Sequence, residues 1–351
     1  LSYDVDWWGR NRALLAAALG RSAATQAEAA GAAASLSAAV TNAYFQWQSV
    51  NARIQLQEQI EAQRNRLVEL EVRRVKTGLS AGDSVTPLHA DAAAPRQTKV
   101  QLETQRDQLY YQLKSLVGSD GFPAALKAQA LPVADWALPP NLPLDLLARR
   151  ADIAASRDRV QASLHEVDAA RAAFYPDLNL SAFIGLTSLP LSSLLHGDSR
   201  MQGFTPALHL PIFDAGRLRA GLDSNRADVE LAVAQYDQSV QTAVGEVNDA
   251  AIKLKGAQRE QESLTAQVTA RNRDLASAQR RVHAGLADGR ELARDQLSLL
   301  ALNDLELTRQ QHALSAQIDL IKALGGGYQG AVTLKIDATS DAKADTKTNA
   351  Q

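Results

Sequence analysis

Histidines and carboxylates are the side chains of this sequence that could bind a metal or move a proton. None of the six histidines stands three or four positions from another, and the motif HExxH is absent. The stretch GGGYQG at 325–330 has the GxGxxG spacing, but it follows a helical segment and precedes a polar tail. A dinucleotide site needs a strand before this motif and a helix after it. We therefore expect no catalytic residues, no metal and no cofactor, and hence no enzyme.

The composition favours long, closely packed helices. Hydrophobic residues make up 46% of the 351 residues and aromatic residues only 5%, so alanine supplies much of the apolar content. The net charge of -2 gives no basic field for nucleic acid. The absence of cysteine excludes disulfides and thiolate chemistry. No run of 18 apolar residues predicts a transmembrane helix.

Two parts of the sequence repeat each other at a constant offset. Gly9 and Gly216 stand 207 positions apart, and so do RVKTGLSAG at 74–82 and RVHAGLADG at 281–289. The register holds without insertion as far as Gly118 and Gly325. We interpret this as a tandem duplication of a unit of about 200 residues. The counterpart of residues 144–208 is expected to precede Leu1, so the first copy is N-terminally incomplete.

The repeat and the proline pattern predict the order of elements. The first repeat, 1–118, holds a strand end, a long helix, a tip turn and a return helix, with an irregular start of that return helix at Pro87 and Pro95. A proline-rich linker follows at 119–143. The second repeat, 144–327, is predicted to contain a helix at 146–173, strands at about 176–187 and 201–213, a long helix at 216–283, a tip turn at 284–290 and a return helix at 291–324. A polar tail at 328–351 ends the chain.

The long helix of the second repeat carries a heptad pattern. Apolar residues recur every seven positions at Val233, Val240, Val247 and Leu254, which is typical of a left-handed coiled seam. The two predicted strands alternate instead, with Leu178, Leu180, Ala182 and Ile184 on one face of the first. Such strands fit either a transmembrane β-barrel or a small soluble hairpin.

Several motifs together resemble the outer-membrane factors of Gram-negative tripartite efflux systems, the TolC/NodT-like channels. LPLDLLARRADIAAS at 142–156 and ARAAFYPDLNLSAF at 170–183 resemble the opening of that family's repeat. LPIFDAGRLRA at 210–220 resembles its second strand turning into the long helix, and RVHAGLADG resembles its periplasmic tip. The likeness extends over nearly the whole chain. Ala151, where the family usually has proline, and Arg157, where glutamate is common, depart from the pattern.

The resemblance implies a mainly α fold with a small β part. Three protomers would close a transmembrane β-barrel in the outer membrane and a coiled-coil α-barrel across the periplasm. The protein would then be the homotrimeric channel of a multidrug-resistance efflux system, working with a periplasmic adaptor and an inner-membrane pump and contacting outer-membrane lipid but no nucleic acid. It would export drugs, toxic organics or metals. A signal peptide, with or without the lipid-bearing cysteine of a lipoprotein, would lie upstream of Leu1. A soluble coiled-coil periplasmic adaptor or scaffold is the alternative.

The resemblance also assigns roles to residues around the turns. The tips would contact the adaptor through Gly78, Leu79, Ser80, Gly285, Leu286 and Ala287. Rings of charge repeated by three-fold symmetry could gate or select in a pore; the candidates are Arg74, Asp83, Arg281, Asp288, Arg294 and Asp295. The strand–helix turns would use Gly9, Arg10, Gly216 and Arg217. The family often has an aspartate shortly after the second tip, where this chain has Arg294 followed by Asp295.

Overall fold

The computed structural model describes residues 2–118, 122–132, 149–186 and 200–328 of the chain. Parts of the predicted linker and tail, the start of the predicted helix at 146–173 and the loop between the two predicted strands lie outside the described residues. The described part is mostly helical with one small sheet, as the sequence predicted for the fold class. None of its helices is long and apolar enough to cross a membrane.

In the described residues, five α-helices and three strands follow one another. Strand β1 is Ser2–Val5, helix α1 is Arg10–Lys76, and a short 3₁₀ turn at Gly82–Ser84 leads into helix α2, Val85–Val117. Helix α3, Ala151–Ala172, precedes the strand pair. Strand β2 is Asp177–Leu186, strand β3 is Arg200–His209, helix α4 is Arg217–His283, and helix α5 is Gly289–Ala323.

Helices α1 and α4 each contain 67 residues, which at about 1.5 Å per residue gives roughly 100 Å. Neither contains a proline. Helix α2 does contain one, and the irregular start expected at Pro87 and Pro95 is not found. Pro87 stands in the first helical turn, where a missing N–H costs nothing, and the helix continues past Pro95. The 3₁₀ turn before Val85 provides the change of direction.

The three strands form one antiparallel sheet in the order β1-β2-β3. Leu178 pairs with Val5 on one side and Leu208 on the other, and Leu180 pairs with Tyr3 and Pro206. Directly paired residues share a face, so these side chains belong to one apolar face of the sheet. The opposite face carries Asp4, Asn179, Ser181, Thr205 and His209. The pairing register therefore places most apolar residues of all three strands on one face of the sheet and most polar residues on the other.

Strand β3 is shorter than the predicted 201–213, because it ends at His209. Pro211 has no N–H to extend the ladder. The Ile212 N–H donates instead to the Leu210 carbonyl at 3.0 Å, which turns the chain out of the sheet. Ile212 and Phe213 are consequently exposed rather than part of a strand face.

The structure divides into two units, and each has its own packing. The first comprises the described residues within 1–30, 151–239 and 327–351 and holds the sheet. Its buried cluster is made of alanines from α1 and α3, namely Ala24, Ala27, Ala154 and Ala155. Side chains this small let the two helix backbones approach closely.

The second unit comprises residues 31–150 and 240–326 and holds two helix pairs. Helices α1 and α2 pack through Ala43, Trp47 and Leu113, among others. Helices α4 and α5 pack through Ala250, Leu254 and Leu320. These residues stand 207 positions from their counterparts in the first pair. Equivalent positions of the two sequence repeats therefore make equivalent contacts.

The predicted heptad seam of α4 is buried only in part. Val247 and Leu254 lie in the cluster with α5, whereas Val233 remains 41% exposed in the single chain. Ala243, Ala250, Leu264 and Ala278 are also buried and stand at multiples of seven positions from one another, whereas Ala257 and Arg271 in the same series are not buried. Alanine makes this second seam difficult to distinguish from the rest of an alanine-rich sequence.

Candidate functional site: the hairpin tips and the strand–helix junctions

Two glycine turns end the long helices in the same way. We call residues 77–84 the first tip and residues 284–290 the second tip. At the first, the Leu79 N–H donates to the Arg74 carbonyl at 2.8 Å; at the second, the Leu286 N–H donates to the Arg281 carbonyl at the same distance. This six-to-one bond defines a Schellman motif, whose C′ residue adopts a positive φ. Gly78 and Gly285 supply that residue with φ of 71° and 70°.

The tips present apolar side chains to solvent. Leu79 is 65% exposed and Leu286 is 79% exposed. Each stands one residue after the positive-φ glycine, so the turn itself fixes where the leucine projects. Ser80 and Ala287 follow these leucines and are half-buried. An exposed leucine at each tip provides a small apolar contact of the kind a partner protein could cover.

Arg74 connects the two tips. Its guanidinium donates to the Ser80 hydroxyl at 3.2 Å and to the Leu79 carbonyl at 3.1 Å within the first tip. A third hydrogen bond, at 3.3 Å, reaches the carboxylate of Asp288 in the second tip. The sequence had selected Arg74 and Asp288 separately, and the structure brings them together.

Glu71 and Arg290 form a second connection between the hairpins. The Arg290 guanidinium donates to the Glu71 carboxylate at 2.6 Å and to the Asp288 carboxylate at 2.7 Å. The other Glu71 oxygen accepts from the Ser84 hydroxyl, also at 2.6 Å. The Glu71 residue is buried, with 4% of its surface exposed. This carboxylate therefore links the end of α1, the start of α2 and the start of α5.

The pKa values of these groups follow from the hydrogen bonds. Donation by Ser84, Ser80 and Arg290 lowers the pKa of Glu71 from 4.5 to about 2, against the opposing effect of burial. The pKa of Asp288 is lowered chiefly by the Arg290 backbone N–H, because Asp288 is the N-cap of α5. The pKa of Arg290 is raised, first by its bond to Asp288. Glu71, Asp288 and Arg290 are therefore ionised near neutral pH.

The remaining charged candidates lie outside this network. Arg281 pairs with Glu291 within the second hairpin. Asp83 and Arg294 are exposed, and Asp295 is half-buried. The structure of a single chain therefore brings two of the six predicted gate residues, Arg74 and Asp288, into contact, and the gate role of all six stays a prediction.

Glu71 and Arg290 were missed by the sequence reasoning, although the repeat contained a signal. The counterpart of Glu71 in the second copy is Ala278, and the counterpart of Arg290 in the first copy is Asp83. At both positions the two copies differ in charge. The same is true of Glu69 and Ala276, so the difference alone would not have identified the contact.

Elsewhere in the second unit, a bidentate salt bridge connects α1 and α5. The Arg53 guanidinium donates to both oxygens of the Asp304 carboxylate, at 2.9 Å and 3.0 Å. At the far end of α5, the buried Arg150 donates to the Ala323 carbonyl at 2.8 Å and to Glu246 at 2.7 Å. Such planar, paired hydrogen bonds fix the orientation of helices as well as their distance.

In the first unit, each strand–helix junction turns through a glycine and is capped by an aspartate. Gly9 and Gly216 have φ of 76° and 87°, which suits glycine. The Asp6 carboxylate accepts from the Asn11 and Arg12 amides, and the Asp214 carboxylate accepts from the Gly216 and Leu218 amides. The predicted turn residues Arg10 and Arg217 begin the two long helices and are exposed.

Comparison with known proteins places this arrangement in a family. The model of the outer membrane efflux protein family matches residues 1–119 and 142–326. The multidrug resistance outer membrane protein MdtQ of Escherichia coli O6:H1 is 34% identical over 328 residues, covering 93% of this chain and 68% of that protein. MdtP of Escherichia coli K12 is also 34% identical, over 327 residues, with 93% and 67% covered.

Solved structures of membrane proteins have a similar fold. A membrane protein from Pseudomonas aeruginosa has a TM-score of 0.80 at 31% identity, covering 95% of this chain and 76% of that one. The outer membrane protein VceC of Vibrio cholerae has a TM-score of 0.76, also at 31% identity, with 93% and 79% covered.

The chain therefore belongs to the outer membrane efflux protein family. It is an efflux channel protein of the outer membrane, and the resemblance inferred from sequence is confirmed. The same finding decides against the alternative of a soluble adaptor or scaffold. The family and the relatives are channel proteins rather than enzymes.

Proposed function

We propose that the chain works as a homotrimer that conducts small molecules through the outer membrane, delivered by an inner-membrane pump through a periplasmic adaptor. The matched relatives are named for multidrug resistance, so drugs are the first substrates to test. In this role the protein acts as a conduit, and its residues shape a path rather than catalyse a reaction.

One observation supports assembly with other copies, whose number, three, is taken from the family resemblance: the apolar face of the sheet is exposed, and the sheet is open. Tyr3, Ile184, Phe204 and Leu208 are between 67% and 74% exposed in the single chain. Strands β1 and β3 are the edges of the described sheet. Lipid does not tolerate unpaired strand edges, so the described strands need further strands, those of other copies included, to close a barrel.

The tips support the proposed contact with the adaptor. Leu79 and Leu286 are exposed at the ends of rigid Schellman turns, where a partner can cover both. The charged network behind them, formed by Arg74, Asp288, Arg290 and Glu71, holds the two hairpins of one protomer together. We propose that this network keeps the periplasmic end narrow, and that adaptor contact at the tips favours the open state. Asp83, Arg281, Arg294 and Asp295 remain candidates for the constriction.

Export is tested in a Gram-negative strain that lacks its own outer-membrane efflux channels. The chain is expressed with a candidate adaptor and pump, and drug susceptibility and dye accumulation are measured. We expect cells with the unchanged protein to accumulate less dye and to be less susceptible to drugs. The variant Leu79→Asp/Leu286→Asp should give neither effect. Cross-linking of outer-membrane fractions should give trimers for both. A monomer, or a trimer that conducts no ions in planar bilayers, would contradict the proposal.

A further inference from the structure

Exposed apolar side chains surround the strand–helix junctions of the first unit. Trp7 and Trp8 follow β1, and Trp8 stacks on Tyr175 with ring centroids 4.5 Å apart. Ile212 and Phe213 follow β3 and are 86% and 90% exposed. They follow Val5 and Leu208, which belong to the apolar face of the sheet. Aromatic side chains in such a position mark the boundary between lipid and water.

Exposed arginines begin immediately beyond these residues. They are Arg10 and Arg12 at the start of α1, and Arg217 and Arg219 at the start of α4. Neither helix has an acidic residue in its first turn, although the helix dipole favours acids there. The chain as a whole carries a net charge of -2, so the cluster is no consequence of a basic composition. The positive charges of this arginine cluster could bind an anion that is not part of the helices.

The helix ends themselves are already occupied. Asp6 and Asp214 accept hydrogen bonds from the first backbone amides of α1 and α4, and Arg12 lies 3.4 Å from the Asp6 carboxylate. An anion at this place would therefore meet the arginine side chains and not the free N–H groups of a helix terminus. The attraction depends on guanidinium groups, which substitution can remove one at a time.

Arg10 and Arg217 line one cavity of about 140 Å³, together with the rings of Trp8 and Tyr175. The acidic residues of its lining are Asp6, whose carboxylate caps α1, and Asp177, whose strand position pairs with that of His209 on the polar face of the sheet. Val5 of the same lining belongs to the apolar face. Two guanidinium groups beside aromatic rings suit a phosphate that is attached to an apolar body. A free phosphate would make no use of the neighbouring apolar surface.

We propose that this cavity, the junction cavity, binds the phosphate of an anionic phospholipid of the phosphatidylglycerol class in the inner leaflet of the outer membrane. Arg10 and Arg217 hold the phosphate, and the acyl chains lie along the apolar side chains that extend from the sheet. The inference depends on the outer-membrane location of the family and not on the export activity.

The test counts lipids on the purified full chain. The protein in non-ionic detergent receives equal amounts of phosphatidylglycerol and phosphatidylcholine with identical acyl chains, and retained lipid is measured by native mass spectrometry. We expect about fivefold enrichment of phosphatidylglycerol, as several cations at a membrane surface predict. Arg10→Gln/Arg217→Gln should bring the ratio close to one. The matched control, Arg259→Gln/Arg273→Gln, removes the same charge from exposed positions further along α4 and should keep the enrichment.

Each outcome of this experiment supports or overturns the proposed lipid site. Equal retention of the two lipids by the unchanged protein overturns the proposal without reliance on any variant. Undiminished enrichment in the Arg10→Gln/Arg217→Gln protein, or equal loss in the control, overturns it as well. Displacement of the lipid by millimolar inorganic phosphate would indicate a free-anion site and not a lipid site. Because no pump or adaptor is present, a failure of export leaves this result unaffected.

Discussion

The carboxylate of Glu71 and the guanidinium of Arg290 lie 2.6 Å apart, although the two residues belong to different helical hairpins. Glu71 also accepts from Ser84, and Arg290 also donates to Asp288. One buried carboxylate thus organises the charges at both tips. Removing it leaves Arg290 with Asp288 alone and leaves the Ser84 hydroxyl with the Ala81 carbonyl as its acceptor. The link between hairpins should therefore depend more on Glu71 than on exposed charges nearby.

The first prediction concerns pH. Because the pKa of Glu71 is about 2 in the folded protein and 4.5 ordinarily, its carboxylate stabilises the fold fully above pH 4.5. That contribution is lost as the pH falls from 4.5 towards 2. Glu71→Gln should lower the melting temperature at pH 6 and weaken its dependence on pH below 4.5. Thermal unfolding in detergent at a series of pH values measures both effects.

Glu69→Gln is the matched control, because Glu69 is an exposed residue on the same helix. It should leave the melting temperature at pH 6 and the acid profile almost unchanged. If the two variants behave alike, the hydrogen bonds of Glu71 do not stabilise the tips.

The second prediction concerns the Arg53–Asp304 pair. Two parallel hydrogen bonds of 2.9 Å and 3.0 Å join α1 to α5, with both side chains 25% exposed. A double-mutant cycle with Arg53→Gln and Asp304→Asn should give a coupling free energy of about 1 kcal/mol. Urea unfolding of the four proteins supplies the cycle. Arg226 and Asp223, an exposed pair on one helix, should couple by roughly 0.3 kcal/mol.

The sequence was sufficient for much of the fold because long helices and strand alternation are local signals. Helix α4 was predicted at 216–283 and begins at Arg217 and ends at His283. Its bounds could be predicted because a glycine with positive φ, Gly216 or Gly285, stands in the turn at each end. Strand β3 was predicted too long because alternation continues to Leu210, while the proline that ends the ladder stands one residue later. The second buried seam of α4 consists largely of alanine, which gives little contrast in this composition.

The positions of the tips could be predicted from the sequence, but the ion pairs between them could not. Glycine spacing places Gly78 and Gly285, since a positive φ is a local requirement. The contacts of Arg74 with Asp288 and of Glu71 with Arg290 join residues more than 200 positions apart. No local pattern specifies such pairs. Whether the charged residues gate a pore depends on the trimer, so those roles remain proposals.

The third prediction concerns two glycines of the sheet. Gly203 pairs with Phe183, whose ring occupies the space that a Cβ on Gly203 would need. Gly185 lies two residues from Phe183 and has open space around its Cβ direction. Gly203→Ala should displace the ring and destabilise the protein by about 1 kcal/mol, whereas Gly185→Ala should be nearly neutral. Adding Phe183→Ala should make Gly203→Ala neutral too. Urea unfolding in detergent compares the four variants, and equal effects of the two glycine substitutions would contradict the packing argument.

The last prediction separates two reasons for glycine at the end of α5. Gly325 and Gly327 both have positive φ, 102° and 84°, so alanine is strained at either position by roughly 1 kcal/mol. Only at Gly325 would the added Cβ also meet backbone, 2.9 Å from the Arg149 carbonyl oxygen, while nothing lies within 4 Å at Gly327.

Gly325→Ala should therefore cost about 2 kcal/mol more than Gly327→Ala, because backbone cannot move aside as a side chain can. Arg150 follows Arg149 directly and donates to the Ala323 carbonyl at 2.8 Å, so the clash should also weaken this anchor of the helix end. Hydrogen exchange of the last turn of α5 would then be faster in Gly325→Ala and unchanged in Gly327→Ala. If both substitutions cost the same in urea unfolding, the positive φ alone explains the two glycines, and the close approach of residue 149 has no energetic role.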